Sequence, residues 1–233
     1  MIIDPYRFGV MDTYTVLLAH MDGTTGTQVF TDEKGHSYTY AGSTLSHLLS
    51  VFGGISVHTN GGVSDHINYA DSTDFDFGSG DFTVECWVYP TSFNSNFGGV
   101  IMTKWVSGGA YPPFMLNMGG SGELVFYASN NGSSWGVSLV TNPLDLNTGA
   151  WRHIAATRSG NTFRVFVDGT VWGSTATMSG ALTTNSGPLS VCGLPDGAVY
   201  GFTGYIDEVR VSKGIARYTG SFTPSAVPFT VYA

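Results

Sequence analysis

The sequence predicts an all-β protein, a two-sheet antiparallel sandwich of the jelly-roll type. The chain of 233 residues has 32 glycines and 14% aromatic residues but only 11% charged residues, which favours many short strands joined by tight turns. Short apolar or alternating runs follow one another between clusters of Gly, Ser, Asn and Pro. A chain of this length can bury a core in a single unit, so we expect one large domain.

Residues 151–173 carry the clearest pattern, three extended runs joined by two turn signals. The first run ends at 159–161, Ser-Gly-Asn, where Gly and Asn tolerate the positive φ of a tight hairpin. The second run alternates strictly from 162 to 167 and ends at Asp168-Gly169, a strong hairpin signal. This stretch therefore predicts an antiparallel meander.

The remaining strands are predicted from the same alternation and the same turn signals. In chain order, we expect them at 15–21, 52–57, 64–69, 82–89, 100–104, 114–117, 123–128, 135–140, 189–192 and 202–211. The side chains of 82–89 that alternation places between the sheets are Phe82, Val84, Cys86 and Val88. After the last strand, 213–218 is expected to form one helical turn.

Residues 1–15 precede the first clear strand and are expected to form an arm, which leaves 16–233 as the jelly-roll domain. Pro5 interrupts regular structure, and the aromatic side chains of the arm have no clear period. The arm either covers an edge of its own domain or docks on a neighbouring subunit. Its early acidic residues and broken apolar pattern argue against a secretory signal or a membrane anchor.

The net charge of −8 argues against two classes of partner. Lys and Arg form no cluster anywhere in the sequence, so nucleic acid and anionic membranes would be repelled. We therefore expect neither as a partner.

Two local patterns leave alternatives open. Cys86 and Cys192 each lie in an apolar run, where a buried, unreactive thiol is usual and a disulfide between them is the alternative. The acidic run 71–81 suggests a calcium loop, but it lacks the closing Glu and the flanking helices of an EF-hand. An ordinary loop with Phe75 and Phe77 turned inward is favoured there.

Four segments carry a resemblance to a known family. In chain order they are LLAHMDG (17–23), DFGSGDFTVECWV (76–88), WRHIAATRSGNTFRVFVDG (151–169) and GYIDEVRVSKGIARYTGSFTP (204–224). Their order resembles the laminin-G-like, concanavalin A-like jelly-roll superfamily, which implies a concanavalin A-like sandwich. Arg152 before His153 departs from the family pattern, which usually has two His or a His and a Tyr here. The first and last segments also look like single-domain members encoded in bacteriophage structural genes.

The superfamily that this sequence resembles includes enzymes, but the sequence lacks their catalytic residues. Relatives that hydrolyse β-glucans carry a Glu-x-Asp-x-x-Glu run, whereas none of the four Glu of this chain has an Asp two residues later. The six histidines lack the close spacing of a zinc site. His153 lies within a predicted strand, where a satisfied interior histidine is more common than a general base. We therefore predict that the protein is not an enzyme.

The resemblance implies one structural calcium ion and no other cofactor. Many members of the superfamily hold this ion between the end of the first strand and the last strand, where this chain has Asp22 and Asp207. The alternative is that Asp22 caps the turn before Gly23 and that Asp207 pairs with Arg210 or Arg217. Both interpretations remain open at this point.

The fold also suggests glycan binding, because a flat ring stacks on a sugar face while amides recognise hydroxyl groups. The candidate glycan-binding residues are Trp87, Tyr89, Trp105, Tyr111, Asn131 and Trp135. The alternative is that Trp87 and Trp135 merely cover the sheet.

With the absence of the enzyme motifs, the resemblance therefore implies a non-enzymatic structural or decoration protein of a bacteriophage virion, in its capsid or tail. Its expected partners are other virion proteins or copies of itself. A carbohydrate-binding module for host-surface attachment, located in the virion or outside cells, is the second hypothesis. A glycoside hydrolase-like enzyme is the third and weakest.

Overall fold

The part of the chain with a described structure includes almost the whole predicted domain. The computed structural model describes residues 12–232 apart from 43, 47, 63–64, 94–98, 109–110, 144 and 197–200. The predicted arm therefore falls largely outside the described residues, and its last residue, Thr15, begins the first strand.

The described residues contain 15 strands and one short 3-10 helix, which confirms the all-β prediction. The helix is Thr73–Phe75. In chain order the strands are β1 (Thr15–Ala19), β2 (Tyr38–Ala41), β3 (Thr44–Ser46), β4 (Ser56–Asn60), β5 (His66–Tyr69), β6 (Phe82–Pro90), β7 (Gly99–Lys104), β8 (Phe114–Met118), β9 (Leu124–Ala128), β10 (Val137–Val140), β11 (Arg152–Ser159), β12 (Thr162–Val167), β13 (Thr170–Thr177), β14 (Leu189–Val191) and β15 (Thr203–Lys213).

The strands form two antiparallel sheets, as predicted for a jelly-roll sandwich. Sheet I has the order β13-β12-β11-β6-β15-β4-β3, and β1 also pairs with β15. Sheet II has the order β10-β9-β8-β7-β14-β5-β2. The 11-residue strand β15 is central to sheet I, because its first half pairs with β4, its second half pairs with β1, and β6 lies along its other side.

The core lies between the sheets and is built from alternate strand positions. The four side chains predicted to point inward from β6 are all fully buried in it. Phe82 stacks on Phe77 with ring centroids 4.3 Å apart and also contacts Phe114 of sheet II. Burying one large apolar side chain contributes roughly 1.5–3 kcal/mol, so this aromatic cluster holds the two sheets together.

Both turns predicted in the meander are present. The β11–β12 hairpin closes through Gly160-Asn161, and Gly160 has a φ of 58°. The β12–β13 hairpin closes through Asp168-Gly169, with φ values of 49° and 75°. The β12–β13 turn therefore has positive φ at both central positions, which is what a type I′ turn requires.

The helical turn predicted at 213–218 is wrong. Lys213 ends β15, and Gly214 then has a φ of 87°, which is outside the helical region. Residues 214–232 instead cross the outer face of sheet I, and we call them the C-terminal strap.

The C-terminal strap is fastened to the sheet by hydrogen bonds and stacked rings. The Thr157 hydroxyl donates to the Tyr218 carbonyl at 3.0 Å, and the Phe222 N–H donates to the Gly169 carbonyl at 2.8 Å. The Tyr218 and Phe222 rings stack 3.5 Å apart, and both pack against Phe166. Phe166 is therefore fully buried, although it belongs to the outward face of β12.

A charged network lies buried beneath the strap. Glu85 is fully buried and accepts hydrogen bonds from Arg210 Nε at 2.8 Å and from the Tyr218 hydroxyl at 2.8 Å. His153 Nε2 lies 3.1 Å from the second carboxylate oxygen of Glu85. The Arg210 guanidinium in turn lies over the Phe229 ring, 3.8 Å from its centre. His153 is thus an interior residue, as predicted, but it is only half satisfied, because its Nδ1 is buried without a partner among the described residues.

The two ends of the described chain meet on the same side of the molecule. The Asp12 N–H donates to the Val231 carbonyl at 2.7 Å. Arg217 of the strap pairs with the Asp12 carboxylate and donates to the Thr15 hydroxyl at 2.9 Å. Both Arg217, near the start of the strap, and Val231, near its end, are therefore bonded to the residues that begin the described chain.

The structure also resolves the two local alternatives. Cys86 and Cys192 are free and buried, and burial raises the pKa of both thiols, which keeps them protonated and unreactive.

The acidic run 71–81 is an ordinary loop, as favoured. Phe75 and Phe77 are buried, and the Asp71 and Asp76 carboxylates pair with Lys104 Nζ at 2.9 and 2.5 Å. These carboxylates neutralise a buried ammonium group.

Candidate functional site

The outer face of sheet II carries a cavity of about 420 Å³. Strands β7, β8 and β9 form its floor, because their core-facing side chains alternate with outward ones. Strand pairing places Asn117 beside Val100 on one side and beside Val125 on the other, and Met115 beside Tyr127. The other residues that line the cavity are Trp105, Gly119, Gly120, Trp135 and Leu194.

Aromatic rings form one wall of this cavity. Trp135 stacks on Tyr127 with centroids 4.9 Å apart and an interplanar angle of 21°. The edge of Tyr111 meets Trp135 at 5.0 Å and 74°. Trp135 therefore has a fixed orientation, and it is only partly buried. Such a ring is suited to stacking on a flat ligand.

Trp105 lines the same cavity and also a second, smaller one. Its indole N–H donates to the Asp196 carboxylate at 3.0 Å, which fixes the ring. The second cavity has a volume of about 140 Å³ and is also lined by Tyr111 and Gly132. Because Trp105 belongs to both cavities, the two depressions adjoin and together form what we call the sheet II groove.

Asn117 supplies a polar group in the floor of the groove. It is only 9% exposed, and its Oδ1 atom is buried without a hydrogen-bond partner. An unpaired buried acceptor costs about 1–3 kcal/mol, and such groups are uncommon in native proteins. A hydroxyl donor within the cavity would satisfy this oxygen.

The structure divides the predicted glycan-binding residues into two groups on opposite sheets. Trp105, Tyr111 and Trp135 come together at the sheet II groove. Trp87 and Tyr89 lie on the outer face of sheet I. One binding site cannot contain both groups.

Trp87 and Tyr89 are packed against other aromatic side chains of sheet I. Trp87 meets Phe52 at 6.1 Å and His153 at 5.3 Å. Tyr89 contacts Trp151 at 5.6 Å. Both side chains thus pack on the outer surface of sheet I, and for Trp87 this is the sheet-covering alternative that the sequence left open.

The Asn131 amide is used within its own turn. Its Oδ1 accepts the Ser133 and Ser134 N–H groups at 2.9 and 3.0 Å, and its Nδ2 donates to the Ser134 hydroxyl at 3.0 Å. Asn131 therefore shapes the loop beside Trp135.

The sequence 132–136, Gly-Ser-Ser-Trp-Gly, has the spacing of a nucleophile elbow, but it lies between two hairpin strands and lacks the required strand-to-helix context.

Sequence reasoning missed Asn117, Tyr127 and Leu194. A signal for Asn117 was present, because it is the one strongly polar residue in the apolar strand Phe114–Met118. Tyr127 and Leu194 had no comparable signal, because their place in the cavity depends on which strands and loops become neighbours.

Asp22 and Asp207 lie close enough to repel each other, together with Glu208. Asp207 is 1% exposed, and burial with these two carboxylates raises its pKa to about 7. Burial raises the pKa of Asp22, because it outweighs the lowering by His20, and Glu208 adds to the rise. A bulge in β15 places Asp207 and Glu208 here, and Glu208 has a φ of 53°.

The ion pairs proposed as an alternative for Asp207 are wrong. Its Oδ2 accepts the N–H groups of Val51 and Phe52 at 2.8 and 3.3 Å. Arg210 pairs instead with Glu85, and Arg217 pairs with Asp12.

The carboxylates near Asp207 have the charge and the hard oxygen atoms that calcium prefers. Asp22 faces Gly53, since a Cβ atom added to Gly53 would clash with its carboxylate. No three His, Cys, Asp or Glu side chains of the described residues are arranged as a metal-binding group. Backbone carbonyl oxygens or water molecules would therefore have to complete any calcium site at Asp22 and Asp207.

Comparisons with known proteins identify the family. Residues 60–216, more than half of the chain, match the family described as the concanavalin A-like lectin/glucanases superfamily, of the laminin G type. The chain belongs to this superfamily. No curated protein sequence matches this member. None of the helical structure in its described residues has the length and hydropathy needed to cross a membrane.

Solved structures share the fold of this superfamily member. The binding domain of Paraclostridial Mosquitocidal Protein 1 has a TM-score of 0.67 and 12% identity, over 88% of this chain and 50% of that one. Domain 4 of AbnA, a GH43 extracellular arabinanase from Geobacillus stearothermophilus, in complex with arabinotriose, has a TM-score of 0.60 and 15% identity, over 86% and 93%. The Trypanosoma rangeli sialidase has a TM-score of 0.62 and 10% identity, over 87% and 31%.

The chain therefore spans half of the mosquitocidal binding domain and a smaller share of the sialidase. At these identities the likeness shows the fold alone. Binding domains and an enzyme are both among the similar structures, so the fold does not decide between binding and catalysis.

Proposed function

We propose that this protein is a non-enzymatic glycan-binding module and that the sheet II groove is its binding site. The observation that carries the proposal is the buried, unpaired Oδ1 of Asn117 in the floor of a cavity walled by aromatic rings. Aromatic faces pack on the C–H surfaces of a sugar, and a fixed amide oxygen accepts a hydroxyl hydrogen.

The similar structures support this proposal without deciding it. One is named as a binding domain, and another is an arabinanase domain in complex with arabinotriose. The cavity volume of about 420 Å³ falls within the range of small-molecule sites.

A glycan array followed by calorimetric titration tests the proposal. Trp135→Ala is expected to weaken binding of the best array glycan at least tenfold, because the stacking surface is lost. Tyr89→Ala is the matched control, since Tyr89 is an equally partly buried aromatic residue on the opposite sheet. The proposal fails if no glycan binds at millimolar concentration, or if only Tyr89→Ala weakens binding.

The phage structural role is a second candidate, supported by the resemblance of the first and last sequence segments to phage-encoded members. A virion protein with a glycan-binding groove would attach the particle to a host surface, and its partners would be other virion proteins or copies of itself. Mass spectrometry of purified virions tests this role, and absence of the chain from the particles would exclude it. Turnover of a polysaccharide panel that disappears when one acidic residue is changed would instead reveal a hydrolase.

We also propose that one structural calcium ion binds at Asp22 and Asp207. The supporting feature is the proximity of the Asp22, Asp207 and Glu208 carboxylates. His20 lies 2.7 Å from Glu208 and offsets part of their charge, and a divalent cation would offset the rest. Such an ion would connect the end of β1 to β15.

A further inference from the structure

The described side chains that line the sheet II groove carry no formal charge. Its larger cavity contains aromatic, aliphatic and glycine residues together with Asn117. Its smaller cavity adds Tyr111, Thr183, Thr184 and Asn185, which are neutral too. A ligand therefore meets stacking surfaces and neutral hydrogen-bonding groups in both parts of the groove.

Two acidic side chains contact residues that line the groove and lie at its rim. Asp196 accepts the indole N–H of Trp105 at 3.0 Å. At the glycine end, Glu123 accepts the Ser121 N–H at 3.0 Å, and a Cβ atom added to Gly119 would clash with its carboxylate. Negative charge therefore flanks the groove at both of these positions.

The described residues place no Lys or Arg in the lining of the groove. Lys104 precedes Trp105 in sequence, but its side chain is fully buried and its ammonium group is paired with Asp71 and Asp76. None of the other described Lys or Arg side chains lines either cavity. The net charge of the whole chain, −8, has the same sign as the rim.

We infer that the sheet II groove selects neutral oligosaccharides and rejects those that carry a carboxylate or sulfate group in the bound residues. This inference rests on the proposed function and specifies its ligand class. A neutral sugar hydroxyl satisfies the Asn117 oxygen, whereas an anionic group would lose its hydration in a cavity without Arg or Lys. The rim carboxylates Asp196 and Glu123 add repulsion, which salt screens.

The test compares neutral glycans with acidic counterparts of the same backbone. A glycan array with neutral, sialylated, uronate and sulfated oligosaccharides identifies the strongest neutral ligand. Titration then measures that ligand against its counterpart oxidised at C6 to the uronate, in 50 mM and 500 mM NaCl. We expect the uronate to bind at least tenfold more weakly than the neutral glycan at 50 mM NaCl. This difference in affinity should be smaller at 500 mM NaCl.

A variant distinguishes charge from shape. The double variant Asp196→Asn, Glu123→Gln keeps an oxygen acceptor at each position and removes both rim charges, so it should narrow the neutral-to-uronate affinity ratio. A wild-type protein that binds the uronate as tightly as the neutral sugar would overturn the inference and leave the proposed function intact. Absence of binding to every glycan of both classes would overturn the proposed function and the inference together.

Discussion

Asn117 shows how a single residue can be unfavourable for folding and useful for binding. Its Oδ1 loses water on folding and gains no partner within the described protein. Asn68 offers a contrast on the same sheet, since it is similarly buried but its Oδ1 accepts the Ser190 hydroxyl at 2.8 Å. Of the five buried polar atoms that lack a partner among the described residues, the Asn117 oxygen is the one whose residue lines the groove, where a ligand hydroxyl could reach it.

Asn117→Leu should therefore increase stability while it decreases binding. Removing an unpaired acceptor and replacing it with an apolar group of similar size is expected to raise the free energy of unfolding by about 1 kcal/mol. The same change should weaken binding of the best neutral glycan at least tenfold. Urea denaturation and calorimetric titration measure the two effects.

The control for this substitution is Asn68→Leu, which breaks a satisfied hydrogen bond and should lower the free energy of unfolding. An Asn117→Leu variant less stable than the wild type would contradict the assignment of an unpaired oxygen.

Glu85 is the residue whose charge contributes most clearly to folding. Burial alone would raise its pKa, but Arg210 and His153 lower the pKa from its ordinary value of 4.5 to about 2. A carboxyl whose pKa is lower in the folded state stabilises the protein above its unfolded pKa. That contribution is lost as the pH falls from about 5 towards 2.

Glu85→Gln should destabilise the protein in a pH-dependent way. At pH 7 it leaves Arg210 buried without its charged partner, a change that typically costs about 3–5 kcal/mol. The difference from wild type should shrink as the pH is lowered from 5 to 2.5, measured by urea denaturation at each pH. Glu33→Gln, at a half-exposed carboxylate, is the control. A difference of constant size over this pH range would contradict the assigned role of the Glu85 charge.

For a single residue, the sequence predicts which side of a strand the side chain faces but not which other part of the chain covers it. Alternation places Glu85 on the outward face of β6, and that prediction is confirmed by the burial of its apolar neighbours in the core. Its complete burial depends on the C-terminal strap, which is far away in sequence. In the same way, the sequence identified Trp105 and Trp135 as candidate glycan-binding residues. Their position in one cavity with Asn117 depends on the order of the strands, which the sequence did not show.

The C-terminal strap is the element that determines the outer surface of sheet I. It covers Phe166 and the Glu85 network, and its Phe222 N–H donates to the Gly169 carbonyl. Gly169 has a φ of 75°, and a Cβ atom there would collide with the Phe222 carbonyl. The hairpin turn thus needs glycine for its backbone and for the strap.

Gly169→Ala should loosen the strap as well as strain the turn. Gly160→Ala is the matched control, because Gly160 is also at a hairpin turn with positive φ but has nothing within 4 Å of the added Cβ. The control should cost about 1–2 kcal/mol from backbone strain alone. Gly169→Ala should cost more and should increase hydrogen exchange in 214–232, measured by mass spectrometry. Equal costs and equal exchange in the two variants would contradict this role of Gly169.

Elements were predicted most reliably where the pattern is local. The β11–β12–β13 meander was fixed by its turn residues, because Gly160-Asn161 and Asp168-Gly169 specify the hairpins without help from the rest of the chain. The helical turn at 213–218 failed because the strap is held by contacts with sheet I and not by its own propensity.

At the scale of the whole molecule, β15 connects most of sheet I, so an ion near its bulge would influence global stability. We predict that 1 mM CaCl₂ raises the melting temperature by several degrees, because a ligand at 100 times its dissociation constant stabilises by about 2.7 kcal/mol. A chelator should reverse the rise, and Asp207→Asn should abolish it. Differential scanning calorimetry measures each melting temperature.

Asp74→Asn serves as the control for calcium, because Asp74 is an exposed carboxylate of the acidic loop that pairs with His36. It should leave the calcium response unchanged. The ion at Asp22 and Asp207 would be excluded if calcium does not change the melting temperature, or if Asp74→Asn abolishes the increase caused by calcium.

The fold class was predictable from the whole sequence, whereas the site was predictable only in part. Alternating runs, glycine turns and four segments in family order led to the two-sheet sandwich, and these are properties of the chain itself. The groove arises where β7, β8 and β9 become neighbours and where loops bearing Trp105 and Leu194 approach them. Such contacts between distant segments leave no regular period in the sequence.

The meeting of Asp12 with Val231 has a practical consequence for orientation. Both residues belong to the sheet I side of the sandwich, where the strap lies, whereas the groove opens from sheet II. A bead, a sensor chip or a larger assembly linked at Asp12 or at Val231 would therefore display the groove outward. The same proximity should permit a circular permutant of residues 12–231 in which a short peptide joins Val231 to Asp12.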